Sequence, residues 1–180
     1  GGGPGRAALA AAGGICPMKY SGKIKLFEET APMHPDVPPR GRRPKYRQLP
    51  HTADLGWRIW GDSLPELFEN AAAALVSTLT DRRRLRLTET REIALESGDR
   101  ESLLVDWLNH LLYLFDVDGF LGRDFRVASL TPRRLRARVR GERFDPSRHP
   151  EKTGVKAATY HQLKIGREAG VWQATVIFDL

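Results

Sequence analysis

Cysteine is nearly missing from this chain: Cys16 is the single one among 180 residues, which excludes an internal disulfide framework and a cysteine-based zinc site. A chain without disulfides suits a reducing compartment, and a cytoplasmic location is the expectation. No apolar run approaches the roughly 20 residues needed to span a bilayer, so no membrane association is expected. The Ala-rich start from Arg6 to Ile15 carries one positive charge, two glycines and an Ile where a small residue should precede Cys16, which argues against an export signal. Motifs are lacking too: there is no Gly-Lys-Ser/Thr phosphate loop, no Gly-x-Gly-x-x-Gly after a strand, no Gly-x-Ser-x-Gly elbow and no His-Glu-x-x-His helix. Nucleotide chemistry by this chain alone is therefore not expected.

What is present divides near residue 45. Residues 1–44 hold most of the prolines, many of the glycines, seven Lys or Arg against three acids, and no apolar periodicity beyond Tyr20 to Phe27. They read as a disordered extension, within which Met18 and Met33 are both plausible starts. This segment carries four of the seven net positive charges, which leaves +3 for residues 45–180. So mild an excess is a poor argument, alone, for nucleic-acid binding.

Residues 45–180 read as one domain. Leu55, Trp57 and Ile59 alternate with Gly56, Arg58 and Trp60, the period of a strand with one buried face. Ser63-Leu64-Pro65-Glu66 is a capping box with proline in the first turn, and Leu64, Leu67, Phe68, Ala71, Leu75 and Leu79 share one face of the helix that follows, to about Thr78. Leu85 to Thr88 and Arg91 to Glu96 read as one strand or two. Asp99 caps a second helix whose apolar residues, Leu103, Leu104, Trp107, Leu108, Leu111, Leu112 and Phe115, give the strongest periodicity in the chain. Phe125 to Leu130 and Arg134 to Arg140 are two further strands, and Val155 to Gly166 and Val171 to Phe178 form a hairpin through Glu168-Ala169-Gly170. Two helices and six or seven strands, mostly adjacent in sequence, predict an α+β domain: a layered sandwich with helices packed on a largely antiparallel or mixed sheet system.

Few residues are placed to carry chemistry. Asp54 precedes the first strand, in a position that commonly serves a turn. Asp179 follows the apolar Val176, Ile177 and Phe178 and stands beside Leu180, the last residue of the sequence. With the oxygens of Leu180 and Asp54 it could form part of the shell of about six to eight oxygens that calcium takes, finished by water or another molecule. His51 and His161 are candidate supporting residues, though a strand histidine such as His161 is more often half-buried and hydrogen-bonded. Asp145 and His149 lie four apart in a loop broken by proline, and His110 reads as the edge of the core. Arg134, Arg136, Arg138 and Arg140 share one strand face, either a solvated surface or a basic stripe for RNA or an acidic partner. A metal-dependent hydrolase using His51, Asp54, His161 and Asp179, and an RNA-binding module using the arginine face, are the alternatives the residues leave open.

Five segments in order, His51-Thr52-Ala53-Asp54 with the strand ending at Trp60-Gly61, Leu67-Phe68-Glu69-Asn70-Ala71-Ala72, Gly141 to His149, Val155 to His161, and Val176 to Leu180, together resemble the archease family over residues 45–180. The resemblance implies a metal-binding accessory protein, not itself an enzyme, that activates an RtcB-type RNA ligase in tRNA splicing. It further implies that Asp54, Asp179 and a Leu180 oxygen hold a divalent cation, calcium foremost, with magnesium or manganese as alternatives. The ligase would be the partner, with RNA met through it. The family's common Ile or Val at the last position is Leu180 here, which leaves a backbone oxygen ligand intact.

Overall fold

The computed structural model describes residues 43–49 and 55–180. Both candidate residues of the His51 to Asp54 segment, and the proposed extension up to residue 42, lie outside the described residues. Strands β1 (Tyr46–Leu49) and β2 (Leu55–Gly61) lead into helix α1 (Leu64–Leu79). After a single 3-10 turn at Arg82–Arg84 come β3 (Glu89–Glu96), α2 (Arg100–Asp118), β4 (Phe120–Leu130), β5 (Arg134–Arg143), β6 (Ala157–Glu168) and β7 (Val171–Asp179). All strand pairs are antiparallel and form two sheets, one of four strands in the order β1-β2-β7-β6 and one of three in the order β3-β5-β4. This is the α+β sandwich that the sequence predicts.

Local chemistry explains the helix ends. The Ser63 hydroxyl accepts the Glu66 N–H at 3.3 Å, as a capping box requires. The Glu66 carboxylate, however, accepts from the Asp62 N–H at 2.8 Å, so the return bond falls one residue before the expected Ser63. Asp99 caps α2 by accepting the Ser102 N–H at 2.7 Å, and Gly119 ends it in the left-handed region at φ 66°.

A single apolar stripe is too little for α1. Ala72, Ala73, Ala74, Val76 and Thr78 are buried along with the expected face, because α1 packs against β2 of one sheet and β4 of the other. Asn70, buried in α1, donates to the Trp60 carbonyl at 2.7 Å, and Trp107 of α2 donates to the Phe68 carbonyl at 3.1 Å, which ties the two helices and β2 together. In β2 the expected clean alternation also fails, since Ile59 and Trp60 are both buried.

Three strands differ from expectation. Tyr46–Leu49 has no apolar alternation and forms β1 through its antiparallel partners Ile59 to Gly56. Leu85 to Thr88 is not a strand: the Arg86 N–H is taken by the Glu142 carboxylate at 2.7 Å, a side chain standing where a ladder carbonyl would be. Strand β4 begins at Phe120, five residues before the expected Phe125, because a register shift between Gly122 and Asp124 breaks the period-two pattern. The β6–β7 hairpin turns on Ala169 and Gly170, both at positive φ (47° and 78°), as a tight two-residue connection requires.

Where β4 and β5 pair, only glycine fits at position 141: a Cβ there would lie 1.9 Å from the Leu121 carbonyl oxygen. Both partners are main chain, so neither can swing aside. Gly141→Ala is expected to cost about 2–3 kcal/mol of stability, read as a shift of the urea midpoint at unchanged slope.

Candidate functional site

The candidate site gathers at the end of β7. Leu55, which follows Asp54 in the sequence, pairs with Phe178, which precedes Asp179. Asp179 itself pairs with Ala157 on the other side, and its carbonyl accepts the Lys156 N–H at 2.8 Å. The Asp179 side chain is exposed, in contrast to the buried Val176, Ile177 and Phe178 that anchor the strand in the core. Burying three consecutive apolar residues fixes the position of the acid that follows them.

Lys156, which sequence reasoning did not single out, completes the described part of the site. Its ammonium donates to the Leu180 oxygen at 2.7 Å while its main chain holds the Asp179 carbonyl. A cationic group therefore already rests on one of the candidate oxygens. The donor set is oxygen only, which fits a hard cation such as calcium or magnesium better than a soft one. Two residues cannot fill a shell of about six to eight oxygens, and among the described residues no three His, Cys, Asp or Glu side chains cluster as metal ligands. The described half of the site fits a cation only if donors outside the described residues, Asp54 foremost, complete it.

His161 is exposed and not half-buried. It lies in the irregular stretch of β6 between the Thr159–Ile177 and Lys164–Thr175 pairs, where Gln162 adopts φ 54°. That stretch runs away from Asp179, so the described geometry does not bring His161 to the acid. Of the hydrolase set, His51 and Asp54 lie outside the described residues.

The four arginines of β5 are exposed, and Leu135, Ala137 and Val139 on the other face are buried, as their alternation predicts. Two of the four are paired across the sheet: Arg134 with Glu96 at 3.2 Å and Arg138 with Glu92 at 2.7 Å. These register partners make part of the stripe a solvated, charge-matched surface. His110 stands at the core edge as expected, and burial pushes its imidazole below the usual range.

The loop between β5 and β6 holds a second feature missed in the sequence. His149 is buried and its Nδ1 accepts the Asp145 N–H at 2.9 Å, which leaves the Nε2 hydrogen to donate to Glu142 at 3.0 Å. Glu142, also buried, further accepts from Arg148 at 2.6 Å. The Asp145 carboxyl is held down to about 2 by the Ser147 hydroxyl and the Arg148 guanidinium. The loop is tied to the end of α1 as well, by Thr80 on the Pro150 carbonyl at 2.8 Å and the Lys152 N–H on the Leu79 carbonyl at 3.0 Å. It thus spans from a buried ionic cluster to Lys156.

Comparison with known proteins agrees with this architecture. Residues 46–180 match the model of the Archease protein family (MTH1598/TM1083). Protein archease of Methanosarcina mazei is 40% identical over 148 residues, covering 80% of this chain and all of the relative, and that of Methanopyrus kandleri is 41% identical over 138 residues, covering 75% and 99%. The solution structure of Methanobacterium thermoautotrophicum protein 1598 superposes with a TM-score of 0.65 at 34% identity, covering 76% of this chain and 99% of that one. A Thermotoga maritima crystal structure, described as an archease and possible chaperone, gives a TM-score of 0.54 at 28% identity, covering 77% and 97%. The chain belongs to the archease family.

Proposed function

We propose that this protein is a cation-carrying accessory factor of an RtcB-type RNA ligase, which promotes guanylylation of the ligase and restores it for repeated turnover. The observation that carries the reading is the pairing of Leu55 with Phe178. Cross-strand partners stand about 5 Å apart and consecutive Cα atoms about 3.8 Å, so the chain enters β2 at Leu55 beside the strand end that carries Asp179. The carboxylates of Asp54 and Asp179 and a Leu180 oxygen would share one divalent cation, calcium foremost, with magnesium or manganese as alternatives.

Such a site suits an activator. It carries charge at an exposed strand end, and it can favour one conformation of a partner that binds it. The ligase performs the bond chemistry, and this chain does not. No helix among the described residues is long and apolar enough to cross a membrane, and the reading requires none.

Multiple-turnover RNA ligation by a cognate ligase, with and without this protein, tests the reading. Ligation continuing past one product per ligase only when the protein is present is the expected result. Equal turnover with and without folded protein would remove it.

A further inference from the structure

Between the turn at Arg82–Arg84 and the start of β4 lies an open groove of about 480 Å³, lined by Arg82, Arg83, Leu87, Arg123 and Asp124. It shares Arg82, Arg123 and Asp124 with a narrower pocket of about 90 Å³ that reaches Lys45, Glu69 and Arg126. The lining therefore counts five cationic side chains against two acids. Glu69 is occupied with the Val127 N–H at 2.9 Å, and Asp124 has Arg126 at 3.7 Å.

Two of these arginines are fixed without being neutralised. Arg82 donates to the Arg123 carbonyl at 2.8 Å, and Arg123 donates to the Leu85 carbonyl at 2.6 Å. A carbonyl orients a guanidinium but leaves its charge whole, and each fork keeps further N–H donors for a ligand. Neither residue has an ion pair among the described residues, whereas Arg83 is doubly bonded to Asp81. In the register of β4 with β5, Arg126 faces Arg138 and Asp124 faces Arg140, so the basic surface continues from the groove onto the arginine face.

We propose that this groove binds the phosphate backbone of single-stranded RNA without reading its sequence. Held, uncompensated guanidiniums suit phosphate oxygens. Leu87 is the exposed large apolar side chain in the lining, and Phe125 of the narrower pocket is buried in the core, so the groove offers neither the exposed aromatic or apolar anchors of a protein interface nor a stacking platform for bases. Its lining contains none of Lys156, Asp179 and Leu180 at the end of β7.

Fluorescence anisotropy of the full chain with a labelled single-stranded oligoribonucleotide of mixed sequence, in EDTA, tests the proposal. Four backbone contacts, from Lys45, Arg82, Arg123 and Arg126, predict a slope of log affinity against log salt of about −3 between about 50 and 200 mM. Arg123→Ala should weaken binding about tenfold and flatten the slope by about 0.7. Since Arg123 also holds a carbonyl, the double charge reversal Lys45→Glu with Arg126→Glu, which breaks no hydrogen bond to the main chain, should do at least as much at an unchanged melting temperature. The proposal is overturned by absence of saturable binding at about 50 mM salt, by wild-type affinity in the double variant, or by polyglutamate displacing the RNA as well as unlabelled RNA does, which would assign the groove to an acidic protein surface.

Discussion

Asp179→Ala is expected to lower divalent-cation affinity by at least about 100-fold and to abolish stimulation of the ligase while leaving the fold intact. The reason lies in how the residue is held. Its carbonyl takes the Lys156 N–H, a main-chain bond that alanine retains, and its side chain is exposed, so truncation should change stability by no more than about 0.5 kcal/mol. A cation bound only by the folded protein stabilises it by about 2.7 kcal/mol at a hundredfold excess over its dissociation constant. Calcium should therefore raise the melting temperature of the wild-type protein and leave that of the variant unmoved. If calcium shifts both equally, the cation sits elsewhere. If the variant loses the shift but still stimulates ligation, a cation site exists but does not carry the function, and the accessory role must rest on another surface.

How much of this was legible in the sequence depends on whether the signal was local. The α2 pattern of Leu103, Leu104, Trp107, Leu108, Leu111 and Leu112 names its buried face correctly, because a helix writes its packing in its own period. The arginine alternation of β5 likewise predicts both of its faces. What failed was set by partners distant in sequence. Strand β1 exists because Tyr46 to Leu49 meets β2, and Leu85 to Thr88 is not a strand because a carboxylate 56 positions away takes the Arg86 N–H. The site shows the same division. Asp179 is a candidate on the apolar run before it, whereas Lys156 is an ordinary lysine in the sequence and meets the Leu180 oxygen only where the start of β6 reaches the end of β7. Loop composition gave no sign that His149 would be buried on Glu142, since four-residue spacing outside a helix has no fixed geometry.

That buried cluster carries the largest expected stability effect. Glu142 has a side chain only 7% exposed and accepts from the Arg148 guanidinium, the Arg86 N–H and the His149 ring. Replacing it with alanine removes the acceptor of three donors at once, one of them on a fully buried imidazole, and should cost about 3–4 kcal/mol at pH 7, on the order of a 10 °C fall in melting temperature. The cost should depend on pH with a definite sign. Burial alone would raise the Glu142 carboxyl, but the Arg148 and His149 bonds and the Arg86 N–H outweigh it and hold the group below its ordinary 4.5. A carboxyl made more acidic by folding stabilises the native state above its unfolded value and loses that contribution as pH falls through the folded one. The wild-type protein should therefore lose stability below about pH 4.5 faster than Glu142→Ala does, and the gap between them should narrow. Asp145, held near 2 from an ordinary 3.8, titrates in both proteins, although its Arg148 partner is freer in the variant. Melting curves from pH 7 to pH 3 read the difference directly, with exposed Arg143→Ala as the control expected to move by less than about 0.5 kcal/mol. A gap that stays constant with pH would show that Glu142 acts through packing and not through its charge. The loop it anchors ends at Lys156, so Glu142→Ala, studied at a temperature where it remains folded, should also weaken cation binding at Asp179, which joins the stability of the ionic cluster to the geometry of the site.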